Sequence, residues 1–155
     1  MKNLLRKKGQ SGFTIIEVTI VLAIAGLIMA IVFVAVPALE RSARNTQRKN
    51  DASNLSGLVS EYASNHAGVL PAQYSDMSSL TSGQHWSIMD TTPTLTSTIP
   101  GSGGAYGSTT QLVIYKGATC DPQTGAITSN PSDRSFAIGY QIETTGDPEN
   151  ACAGD

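Results

Sequence analysis

The stretch Phe13 to Val36, FTIIEVTIVLAIAGLIMAIVFVAV, decides how the rest of the chain is read. Its 24 residues include only Thr14, Glu17 and Thr19 as polar side chains. A helix of about 20 apolar residues crosses a bilayer's hydrocarbon core, whereas the apolar part of a cleaved secretory signal has roughly 7 to 15. No small-residue cleavage site follows the run, so the segment is expected to remain in the protein as a membrane helix.

Charge is distributed unevenly on either side of it. Residues 1–12 carry Lys2, Arg6, Lys7 and Lys8; residues 37–50 carry Arg41, Arg44, Arg48 and Lys49 against Glu40. Beyond residue 50 there are ten acids against Lys116 and Arg134 alone. A nucleic-acid binder carries its basic excess on the globular part, and here that part is acidic, so no nucleic-acid partner is expected. Four Lys/Arg precede the span and four follow it, so the positive-inside rule leaves orientation open. At 155 residues the chain has one domain's worth of sequence, which excludes a multidomain enzyme.

Past Pro37 the chain has almost no helix breakers until residue 67. Leu55, Leu58, Val59, Tyr62 and Ala63 recur at helical spacing and predict one apolar stripe. Gly68 is the expected left-handed stop, with Pro71 close behind. Residues 75–110 then change character: 16 of these 36 residues are Ser or Thr, and glycines cluster at Gly101, Gly103, Gly104 and Gly107. This is a surface connection, with one helical turn expected at 76–80 and a short strand at 94–99. Clearer strands follow at 111–116 and 135–143, the second alternating Phe136, Ile138, Tyr140 and Ile142 on the face expected to cover the helix stripe.

Cys120 and Cys152 lie 32 positions apart, without CxxC spacing or neighbouring ligands, so zinc and redox readings are poor. They read as a disulfide closing the loop around the second strand, or else as two buried thiols. A disulfide would mature outside the cytosol and would set the amino terminus inside, the acidic domain outside. The glycine-rich 101–107 run lacks the Lys-Ser/Thr of a phosphate loop. His66 and His85 have no nucleophile or carboxylates placed beside them by spacing, so no catalytic residue, cofactor or metal site is expected. Arg41, Arg44, Arg48 and Lys49 read as a solvated collar facing lipid headgroups, or as a basic segment meeting acidic domains of neighbouring copies.

Lys7 to Glu17, KKGQSGFTIIE, followed by the apolar run, resembles the class III signal of type IV prepilins. The motif joins a short basic leader, Gly12 before a cut, Phe13 after it, and an acid five residues past it. Residues 1–50 carry the resemblance; the remainder is similar only in architecture and in its paired carboxy-terminal cysteines. It implies an α+β fold: a long amino-terminal helix, membrane-spanning in its first half, packed on a small carboxy-terminal antiparallel sheet. The implied division is a cleaved leader over 1–12, a membrane and filament-core helix over 13–36, an amphipathic continuation over 37–68, and a head over 69–155. Within the head lie the Ser/Thr-rich loop of 75–110 and the disulfide-closed β region of 120–152.

The same resemblance implies cleavage between Gly12 and Phe13 by a prepilin peptidase, which also methylates the Phe13 amine. Glu17, costly in a bilayer at about 2.5 to 3.5 kcal/mol, would pair with the Phe13 amine of an adjoining subunit. The implied role is structural rather than enzymatic: a homopolymeric pilus subunit, built by an assembly platform and its ATPase. The precursor would sit in the inner membrane and the polymer outside the cell. The alternatives are a pseudopilin of a type II secretion or DNA-uptake machine, and a single-pass anchored extracellular domain. Members of the family commonly place a proline where this chain has Val34, so a melted segment would be shifted or absent, with Gly26 as a weak point.

Overall fold

The computed structural model describes residues 12–84, 86, 92–101, 104–121 and 123–154. The chain divides between Leu39 and Glu40 into two compact units, and helix α1, Ile15–Asn65, contributes residues to both. In the first unit every described residue is exposed, the large apolar side chains from Phe13 to Leu39 included. Such a surface cannot be stable in water, and among the described residues α1 is the helix long and apolar enough to cross a membrane.

Helix α1 continues through Pro37. Proline has no N–H to give the Phe33 carbonyl and its ring crowds that oxygen, so this is the weakest rung of the ladder. Gly26 likewise lies inside unbroken helix. At the other end the chain closes α1 with a Schellman turn, the Gly68 N–H donating to the Ala63 carbonyl at 2.7 Å. That bond makes Ala67, at φ 55°, the left-handed residue, with Gly68 following at φ 86°. The stop expected at glycine therefore begins one residue earlier, on an alanine.

In the second unit, α1 buries Arg48, Asp51, Ala52, Leu55 and Val59, spaced by three, one, three and four. Tyr62 and Ala63 complete the stripe as half-buried neighbours, whereas Leu58 is not among the core side chains. The expected stripe was thus right in its axis but extends about two turns earlier, to Arg48. A 3-10 turn, Tyr74–Met77, runs into the single turn α2, Ser78–Thr81, and Met77 plugs the core beside Leu55. Asp76 fixes that entry by accepting the Ala72 and Gln73 N–H groups at 2.8 and 2.9 Å.

The main sheet has order β1-β2-β5-β6, with β1 Thr94–Thr96, β2 Val113–Lys116, β5 Phe136–Ile142 and β6 Glu149–Gly154. The β2–β5 and β5–β6 ladders are antiparallel, and the short edge strand β1 runs parallel to β2. The architecture is therefore the α+β one expected, a long helix on an antiparallel-rich sheet. Leu112, Ile114, Phe136, Ile138 and Tyr140 face the helix. The opposite face is also covered: the hairpin β3 Ala118–Cys120 and β4 Ile127–Ser129 packs Ala118 and Ile127 on Val113, Tyr115 and Ala137. Gly139 is the thinnest point of that layer, because a Cβ there would lie 2.6 Å from the Tyr115 ring. Cys120 on β3 and Cys152 on β6 are joined by a disulfide with Cα atoms 5.8 Å apart, fastening the hairpin to the sheet's far strand.

Candidate functional site

The amino-terminal turn of α1 is built by a reciprocal cap. Thr14 precedes the helix and Glu17 is its third residue, the spacing at which two side chains can serve each other's backbone. The Thr14 N–H and hydroxyl both donate to Glu17 Oε2 at 2.8 Å, and the Glu17 N–H donates to the Thr14 hydroxyl at 3.3 Å. Glu17 thus has a local partner within its own chain, and its carboxylate also offsets the partial positive charge of the helix end. The sequence reading did not find this cap, although Thr-Ile-Ile-Glu is its signature. Phe13 stands immediately ahead, 89% exposed, and among the described residues nothing lies within 4 Å of where a Cβ on Gly12 would sit. The backbone on both sides of the Gly12–Phe13 bond is therefore open.

In the second unit the basic segment does something the sequence reading did not anticipate. Arg44 and Arg48 are one helical turn apart and both close on Glu143, the residue after β5. Arg44 donates from Nε and from Nη2, the latter at 2.7 Å to Oε2, and Arg48 Nη2 donates to Oε1. Asn45 between them exchanges two bonds with the Glu143 backbone, accepting its N–H at 2.8 Å and donating to its carbonyl at 2.7 Å. Arg48, only 4% exposed, spends its Nε on the Thr109 carbonyl at 2.6 Å. The Arg44 hydrogen bonds first, then those of Arg48, hold the Glu143 carboxyl down at about 2.

This overturns the collar reading for Arg48, which is buried against its own chain; Arg44 stays exposed although it pairs with Glu143, Lys49 is exposed and Arg41 half-buried. Glu143, Asn45 and Thr109 were missed because nothing local links positions almost a hundred residues apart. The one available signal was the Arg-Asn-x-x-Arg spacing, which puts two guanidiniums and an amide on neighbouring positions of a helix.

The remaining candidates are brought to no common place. His66 stacks on Tyr62 with ring centroids 3.9 Å apart and bonds the Tyr62 carbonyl, which is a helix-end contact. His85 and Gly103 lie outside the described residues. Among the described residues no group of three or more His, Cys, Asp or Glu could hold a metal ion.

Residues 7–33 match the family described as the prokaryotic N-terminal methylation motif. No curated protein and no solved structure matches the chain. The motif, together with the long amino-terminal apolar helix, fits a type IV prepilin, in the broad sense that includes pseudopilin precursors. The motif implies a prepilin peptidase as processing enzyme and a filament as destination.

Proposed function

We propose that this chain is the precursor of a structural subunit of a type IV pilus-like extracellular filament. The observation that carries this is the conjunction of the methylation motif at 7–33 with a helix whose every described residue up to Leu39 is exposed. Lipid can cover that surface in the precursor, and identical helices can cover it in a polymer. A prepilin peptidase cuts between Gly12 and Phe13 and methylates the new amine. Residues 1–12 are then leader, 13–36 membrane span and filament core, and 69–155 head. The precursor sits in the inner membrane, amino terminus inside, and the assembly platform with its ATPase draws it into the fibre. The chain acts as a substrate of processing and a building block, without catalysis or cofactor of its own.

Glu17 takes two roles in turn. In the precursor it caps α1 through Thr14, and after cleavage it accepts the Phe13 ammonium of an adjoining subunit, a charge-assisted bond stronger than the neutral ones it had. The same features suit a pseudopilin, which differs in how far it polymerises. Intact mass of the surface protein tests the proposal: the expected subunit begins at Phe13 and carries one extra methyl, and an assembled subunit that retains residues 1–12 would overturn it.

A further inference from the structure

Beyond residue 50 the chain has two cations, Lys116 and Arg134, and both line one open cleft of about 580 Å³ at the carboxy-terminal end of α1. Lys116 is opposite Phe136 in the β2–β5 ladder, and Arg134 stands just ahead of β5. The Arg134 guanidinium lies across Gly68, close enough that a Cβ there would sit 2.9 Å from its Nε. Neither cation has an ion pair among the described residues. Asp133 lines the cleft as well, so the pair leaves it one net positive charge.

The acids divide as sharply. Glu143 is held by Arg44 and Arg48, Asp76 and Asp121 hold backbone N–H groups of their own turns, and Asp51 is buried and bonded. Asp90 and Asp155 lie outside the described residues. Besides Asp133 in the cleft, what is left is Glu61, alone on α1, and the exposed pair Asp147 and Glu149 at the β5–β6 turn, whose carboxylates have no partner among the described residues. Arg44 and Arg48 approach that end of the sheet, but Glu40 and Glu143 balance them.

Position makes these two groups complementary. Lys116 pairs with Phe136 at one end of β5, and Glu149 pairs with Ile142 at the other. Six residue steps of strand separate them, about 20 Å at roughly 3.3 Å per residue. They cannot meet within one chain. Two different patches of one subunit that fit each other make a heterologous contact, the kind that propagates into open arrays.

We infer that the Asp147–Glu149 turn of one head docks in the Lys116–Arg134 cleft of a neighbouring copy. The inference rests on the filament reading above, and it names a head-to-head contact which that reading does not require. Lys116 is the only lysine after Lys49, so a zero-length carbodiimide cross-linker applied to purified wild-type filaments gives an unambiguous answer. The expected product is an amide between Lys116 and Asp147 or Glu149, in a band at twice the subunit mass. The double substitution Lys116→Glu with Arg134→Glu should lower filament yield about tenfold or more, since like charges would then face each other. Adding Asp147→Lys and Glu149→Lys should restore it, which a merely misfolded head would not allow. Wild-type filaments in which Lys116 stays unlinked, or links only to other carboxylates, overturn the contact while leaving the filament reading intact. Failure of the wild type to form any filament overturns both.

Discussion

Ala67 is the residue at which a local rule is broken. An L-residue in the left-handed region costs about 1 kcal/mol relative to glycine, yet α1 ends there with glycine one place too late. Ala67→Gly should stabilise the protein by about 0.5 to 1 kcal/mol, read as a higher urea midpoint, because relief of strain outweighs the extra freedom of the unfolded chain. Gly68→Ala should do the reverse by about 1 to 2 kcal/mol, since it meets both a positive φ and the Arg134 side chain. Glu143 gives a pH signature. Its carboxyl is held at about 2 against an ordinary 4.5, so its contribution is complete above 4.5 and is lost as pH falls toward 2. Glu143→Gln should cost roughly 2 kcal/mol at neutral pH, because Arg48 stays buried without its counter-charge. It should also flatten the loss of stability between pH 4.5 and 2. A variant as acid-sensitive as the parent would show that another carboxylate governs that range.

At the scale of elements, the legible parts were those with a strong local period. The 24-residue apolar run, the axis of the α1 stripe and the alternation of β5 each carry their own signal, and each appears within a few residues of its expected bounds. β3 and β4 were not legible, being three residues each with a single buried apolar side chain apiece, and β6 reads as polar and small because it is an edge. The second apolar layer therefore came as a finding. So did the parallel pairing of β1, since register between distant short strands has no sequence signature. Of the site, the methylation motif at 7–33 is legible because it is local, whereas the Glu143 cluster, where three distant segments converge, is not. Replacing Cys120 and Cys152 by serine should cost about 3 to 4 kcal/mol from loop entropy. The loss should loosen the β3–β4 hairpin first, measurable as faster amide exchange at Tyr115 and Ala137 than at Leu55. Uniform loss across both layers would mean that they unfold as one.

For the whole molecule the decisive test concerns Glu17, because the observed cap and the proposed contact between subunits ask different things of it. Glu17→Gln keeps an oxygen that can accept the Thr14 bonds but removes the charge that an ammonium requires; Glu17→Ala removes both. If assembly depends on charge, both variants are expected to be processed and membrane-held yet to yield few filaments by electron microscopy. If capping is the whole role, Glu17→Gln should assemble like the parent. The sheet itself bears on what happens after assembly. Its two outer strands are partly shielded: β1 is three residues long, and the turn at Gly125 covers part of β6, within 2.8 Å of the Asn150 carbonyl from where a Cβ would sit. The disulfide holds that cover down through Cys152. Open edges invite strand addition, which fuses neighbours through continuous hydrogen bonding and is slow to undo. Heads crowded side by side on a fibre would then touch through side chains alone and could let go of one another, so a polymer of this subunit should come apart into folded, reusable pieces.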